Sequence, residues 1–162
     1  MMRRRRWIRW WSAMATALLL FLGGATATVL SAEERVIYMA AVEAKGAMTV
    51  DKEPFPAAAL PAGAGYVRKA PDPATGRWEV SVYHWSPATA IVRQGDDVTI
   101  EFVRINSAAH PVHIERYHPE HVVVKRGEAT RVRFTVDAAG LFEIHCPVHE
   151  PTMMGYLLVL PR

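Results

Sequence analysis

Cysteine is almost absent from this sequence: among 162 residues only Cys146 carries a thiol. That excludes an internal disulfide framework and any zinc site built on paired cysteines, leaving the thiol as inert core or as one ligand among other residue types. Sustained helical periodicity and internal repeats are missing too, which turns the reading away from bundles and repeat arrays. Nor is there a basic stripe beyond the first ten residues. Arg3, Arg4, Arg5, Arg6 and Arg9 supply five of the 19 basic residues, and without them 14 basic residues face 16 acidic ones. The net charge of +3 and the pI of 9.2 are therefore no argument for nucleic acid, and no such partner is expected. With 51% hydrophobic and 22% charged residues and a mean hydropathy of +0.04, the chain is too apolar for disorder and too polar for many membrane spans. Its length suits one domain with a real core.

What is present begins with a leader. Ser12 to Ala32 carry no charge, and the apolar centre Ala13 to Leu22 follows directly on the arginines, as the apolar region of an export signal follows its basic start. Arg4-Arg5-Arg6-Trp7-Ile8-Arg9 resembles the twin-arginine export pattern, and Ala25-Thr26-Ala27 offers a small-x-small cleavage site. Left uncut, the same run is about long enough to cross a ~30 Å hydrocarbon core. Residues 1–32 thus read as an export signal or a single membrane anchor, with the rest of the chain delivered outside, to the periplasm.

From Glu33 to about Arg77 the sequence is rich in Ala, Pro and Gly, with one strand expected at Val36 to Val42 and a surface loop or linker over Pro54 to Pro73. From Trp78 to Arg162 short β-type runs alternate with turns. Strands are expected near Trp78–Trp85, Ala90–Arg93, Asp97–Arg104, His113–Arg116, His121–Lys125, Thr130–Val136, Gly140–His145 and Gly155–Leu160. Val98, Ile100 and Phe102 alternate with Thr99, Glu101 and Val103, giving that strand one face for a core. The fold class this predicts is all-β, a sandwich or barrel.

Six of the seven histidines lie between His110 and His149, and the cysteine sits among them in His145-Cys146-Pro147-Val148-His149-Glu150-Pro151-Thr152-Met153-Met154. A thiolate, two imidazoles and a weak thioether are the ligands of an electron-transfer copper site. Cys146, His149 and either Met153 or Met154 would share one loop between two strands. The fourth ligand must then come from a distant part of the chain, for which His110 is the candidate, preceded by the Asn106–Ala109 turn. His113 falls on the opposite strand face from Val112 and Ile114, and His145 on the opposite face from Cys146, so both read as surface residues. His118 and His121 read as loop residues. Trp78, Tyr83, Trp85, Phe102, Phe134 and Phe142 read as packing.

These residues resemble the cupredoxins over roughly Trp78 to Leu160. Ile91 to Thr99 is similar to the strand-turn-strand ahead of the first ligand in that family, and His110-Pro111-Val112-His113-Ile114 resembles its His-x-Val-His-Phe, whose first histidine binds copper. Cys146-Pro147-Val148-His149 resembles Cys-x-Pro-His, with the proline displaced by one position. Val92 to Val159 also resembles the two-copper domain of nitrous oxide reductase and oxidase subunit II. That centre needs a second cysteine four residues earlier, where this chain has Phe142, so one copper is implied.

The resemblance implies a Greek-key β-sandwich holding one Cu(I)/Cu(II) ion between His110, Cys146, His149 and a methionine. It implies an electron carrier, not an enzyme, docking a redox partner such as a cytochrome or a copper enzyme. Met154 reproduces the plastocyanin spacing, while Met153 fits the register in which cupredoxin axial methionines enter the last strand, and strand parity favours Met153. Two rival readings are a periplasmic copper chaperone or buffer and a red-copper-type metalloenzyme, the latter needing a carboxylate such as Glu115 or Glu150.

Overall fold

A computed structural model describes residues 31–107 and 109–162, so the leader expected at residues 1–32 falls almost wholly outside the described residues. Ten strands follow one another: β1 (Glu34–Thr49), β2 (Tyr66–Lys69), β3 (Arg77–Ser86), β4 (Thr89–Arg93), β5 (Asp97–Arg104), β6 (His110–Ile114), β7 (His118–Val124), β8 (Thr130–Thr135), β9 (Gly140–His145) and β10 (Met154–Leu160). They form two five-stranded sheets, ordered β2-β3-β1-β5-β8 and β4-β10-β9-β6-β7. This is an all-β sandwich whose order agrees with a Greek key, because β1 pairs parallel with β5 and β10 parallel with β4 and both pairings need crossovers.

Alternation drives the two faces together. Met39, Ala41, Trp85, Val98, Ile100, Phe102 and Val132 of the first sheet meet Ala90, Val92, Val112, Ile114, Val124, Ile144, Leu157 and Val159 of the second in one core. Each fully buried large side chain contributes roughly 1.5–3 kcal/mol. Every second residue of β10 is buried, Gly155, Leu157 and Val159, while its neighbours face outward.

Several elements differ from the sequence reading. The strand expected at Val36–Val42 runs through Thr49 and lies at the centre of the first sheet, between β3 and β5. Its Ala-rich composition hides it, since small residues score poorly as strand formers although they fit between two flanking strands. The strand expected at His113–Arg116 is β6, beginning at His110 and ending at Ile114, because Arg116 takes a left-handed conformation (φ 67°) in the turn that follows. Pro111 argues against a strand there. It is tolerated because β9 pairs only with His113 and Ile114, leaving the first half of β6 flanked on one side. His118 and His121 lie on β7, not in a loop. The proline-rich stretch does run over the surface, yet it packs: Phe55 meets the Trp78 ring edge-on at 5.6 Å, and the Trp78 indole N–H donates to the Glu53 carbonyl at 3.1 Å.

One pole of the sandwich is clamped by Asp96, whose side chain is almost fully buried at 1% exposure. Its oxygens accept backbone N–H groups of Glu33 (3.2 Å) and Arg93 (3.0 Å) and face Arg162 (3.1 Å) and Arg35 (3.6 Å). Burial pushes this carboxyl up, but the backbone donors and the two guanidinium groups outweigh it and the net pKa is lowered. Asp96→Ala strands those donors and is expected to cost about 2–4 kcal/mol. The shift of the urea midpoint measures it.

Candidate metal centre

The opposite pole gathers the histidines. β6 is inserted with His110, Val112 and Ile114 facing the core, so His110 is fully buried. The β9–β10 loop then supplies Cys146 and His149, and its backbone is tied at those positions. His149 N–H donates to the Cys146 carbonyl, Met153 N–H to the His149 carbonyl and Cys146 N–H to the Met153 carbonyl, at 3.0–3.1 Å. Cys146 Sγ lies 3.3 Å from His149 Nδ1 and 4.0 Å from His110 Nδ1, and the two Nδ1 atoms are 3.2 Å apart. One donor atom from each of these three residues falls within 4.8 Å of the others, a spacing that can hold a metal ion. Met153 is fully buried in the same core cluster as Cys146, whereas Met154 is half-buried on the other strand face.

A description of a protein family, the cupredoxin-like domain, matches residues 57–159. The chain belongs to that family. No curated protein matches it. Among solved structures it is similar to auracyanin A, a "blue" copper protein of Chloroflexus aurantiacus, at 20% identity, covering 48% of this chain and 89% of that one with a TM-score of 0.41. It is also similar to the copper nitrite reductase of Nitrosomonas europaea (20% identity, 80% of this chain and 42% of that one, TM-score 0.47). A multicopper oxidase of Pseudomonas thermotolerans is a third likeness (17%, 82% and 31%, TM-score 0.48). The chain spans less than half the length of these two larger proteins, and likenesses at such TM-scores carry no argument about its role.

In this cupredoxin the pole is braced from both sheets. Asn106, ahead of β6, exchanges hydrogen bonds with Glu43 of β1: the Glu43 N–H donates to Asn106 Oδ1 and Asn106 Nδ2 donates to the Glu43 carbonyl, both at 2.8 Å. Ser107 takes a left-handed conformation (φ 73°) that brings its hydroxyl 2.6 Å from His110 Nε2. That contact fixes which ring nitrogen turns toward Cys146. Tyr83, paired with Glu43 across β1 and β3, lays its ring on His149 at 3.9 Å between centres and 24° between planes, and its hydroxyl donates to Glu43 Oε1 at 3.1 Å. The sequence alone places Tyr83 among packing residues and gives no role to Glu43 or Gly65. The turn that holds Asn106 and Ser107 is the only local signal, three residues from His110, because the contacts of Glu43, Tyr83 and Gly65 join segments 40 or more residues apart.

Gly65 supports the ligand loop from beneath. The N–H groups of Ala64 and Gly65 donate to the Glu150 carbonyl at 3.0 and 2.9 Å, and the Thr152 hydroxyl donates to the Gly65 carbonyl at 2.5 Å. A Cβ at Gly65 would collide with the Thr152 hydroxyl and the His149 carbonyl and lie 2.8 Å from the Thr152 nitrogen. Gly65→Ala is therefore expected to push residues 149–152 outward and cost roughly 1–3 kcal/mol, read as a lower thermal midpoint.

Burial, aided by His149 and Arg104, pushes the pKa of His110 down to about 4. Burial also lowers that of His149 and raises that of the Cys146 thiol. The donors are thus neutral in the metal-free chain near neutrality, with both imidazole lone pairs available and the thiol needing a cation to release its proton. Unfolded, His110 takes up a proton below about pH 6.5; folded, it resists until about 4. Its contribution to stability is full above about 6.5 and is lost as pH falls toward 4, by about 3 kcal/mol, with His149 acting in the same direction. Urea midpoints of the metal-free chain across that window should fall steeply, and His110→Leu should flatten the dependence.

Proposed function

We propose that this cupredoxin is an exported, periplasmic electron carrier that would hold one copper ion through His110, Cys146 and His149, with Met153 as the fourth, weaker ligand. The observation that carries this reading is the convergence of one thiol and two neutral imidazoles at a buried pole. This donor set suits copper in both oxidation states. Bound there, the metal would supply one-electron exchange between Cu(I) and Cu(II). The protein's part is to hold its donors still: three backbone bonds tie the loop, Ser107 and Tyr83 restrain the two imidazoles, and Asn106 fastens β6 to β1. Little rearrangement is then needed on transfer.

Export is supported by the arginine-rich start and the uncharged run after it. The partner would be a redox protein, a cytochrome or a copper enzyme. It would dock at exposed Pro147, Val148 and Pro151 around the half-buried His149, a small apolar contact of the kind transient electron transfer uses. A chaperone passing copper onward needs an open, exchangeable site, whereas Cys146, His110 and Met153 are at 0% exposure. Of the carboxylates a red-copper enzyme would use, Glu115 is already engaged, accepting the Glu143 N–H at 3.1 Å.

The copper-loaded chain is expected to show an intense thiolate-to-copper band at about 600 nm. Cys146→Ser should remove it and leave the sandwich folded. Met153→Gln should shift the potential and the spectrum strongly while Met154→Gln changes them little, and the reverse order would make Met154 the fourth ligand.

A further inference from the structure

The strand alternation that turns His110 inward turns its neighbours outward, onto a face that the centre described above does not use. Met154 of β10 pairs with His145 of β9, and His145 pairs with His113 of β6. On the far side of His113 stands His121 of β7. Three histidines and a methionine therefore form a row across four adjacent strands, on the solvent side of the second sheet. The ring centres of His113 and His145 are 4.9 Å apart, against 4.8 Å for His110 and His149 in the inner cluster. Two imidazoles sharing one ion at about 2.0–2.1 Å bring their centres to roughly 4.5–5.2 Å. His121 is exposed, and its ring stands 5.9 Å from that of His113.

Two further observations point to a ligand. His145 Nδ1 is buried without a hydrogen-bond partner, a costly state unless something fills it. The two carboxylates nearest His145, of Glu143 and Glu150, stop at 4.0 and 3.9 Å. These are too far for hydrogen bonds but close enough to balance a cation's charge. Burial and the neighbouring imidazoles of His145 and His121 also hold the His113 pKa below its ordinary value, Glu115 opposing, which keeps a lone pair free.

We infer that His113 and His145, completed by His121, form a second metal site on the outer face of the second sheet, and that it takes a Cu(II) ion. Imidazole donors favour copper over the other divalent metals of its row, and Met154 beside His145 adds a thioether within the same row for the reduced ion. The site is separate from the inner cluster and does not depend on that cluster's function.

The test counts copper retained by the full chain after equilibration with Cu(II) and removal of excess, together with the electron paramagnetic resonance spectrum. Wild type should retain two equivalents. Cys146→Ser should retain one, with the wide parallel hyperfine splitting of a nitrogen and oxygen site. Adding His113→Asn and His121→Asn to Cys146→Ser should weaken that copper at least roughly tenfold, while the same pair in otherwise wild-type chain leaves the inner copper in place. Retention unchanged by the histidine pair overturns the inference, as does a wild-type chain saturating at one equivalent that Cys146→Ser abolishes. Independently of any inner copper, Zn(II) should shift the ring resonances of His113, His121 and His145 together in wild type; resonances that stay still overturn it as well.

Discussion

A strand has two faces, and a residue cannot change face without carrying its whole strand with it. In the second sheet this constraint sorts the reactive side chains. His110, Cys146 and Met153 are sent to the core, while His113, His145 and Met154 are sent to solvent, although the members of the last two pairs are adjacent in sequence. One imidazole of β6 and the thiol after β9 thereby enter a dry environment that keeps them neutral. Chemically similar residues one or three positions away remain partly hydrated.

The buried set would be floppy if sheet geometry were its only support, because Cys146, His149 and Met153 occupy a loop. Three restraints stiffen it. Within the loop, the backbone bonds join the very residues that carry the donors, so displacing one strains the others. Beneath it, Gly63 and Gly65 run so close that any side chain would collide. From the first sheet, Tyr83 presses on the His149 ring and is itself held by Glu43, a buried carboxylate that Lys45, Ser81 and Tyr83 keep ionised against the cost of burial. The centre is therefore an interface between sheets, and its rigidity depends on residues distant in the sequence.

Much of this was legible in the sequence where the physics is local. The strands from Trp78 onward show period-two alternation, and the inward parity of His110 follows from Val112 and Ile114. The crowding of imidazoles around Cys146 was equally plain. What escaped was set by pairings that no local pattern encodes. β1 owes its place to a parallel partner about sixty residues on, and its run Met39-Ala40-Ala41 does not look like a central strand. Tyr83 and Trp85 share a face of β3, yet only the tertiary fold decides that Tyr83 reaches an imidazole. Parity alone marks His113 and His145 as outward residues, but their alignment with His121, expected in a loop, depends on the register between β6, β7 and β9, and the short β6–β7 pairing contains a bulge.

The Asp96 clamp joins the start of β1 to Arg162 at the chain's other end, and β1 runs from it about 23 Å before Ala41 reaches the histidine pole. Both ends of the described chain thus leave from one side and the cluster of His110, Cys146 and His149 lies at the other. Attached to a bead or a fusion protein through the strand end beside Asp96, the molecule turns the loop that carries His149 away from the attachment, so immobilisation and access to that loop do not compete.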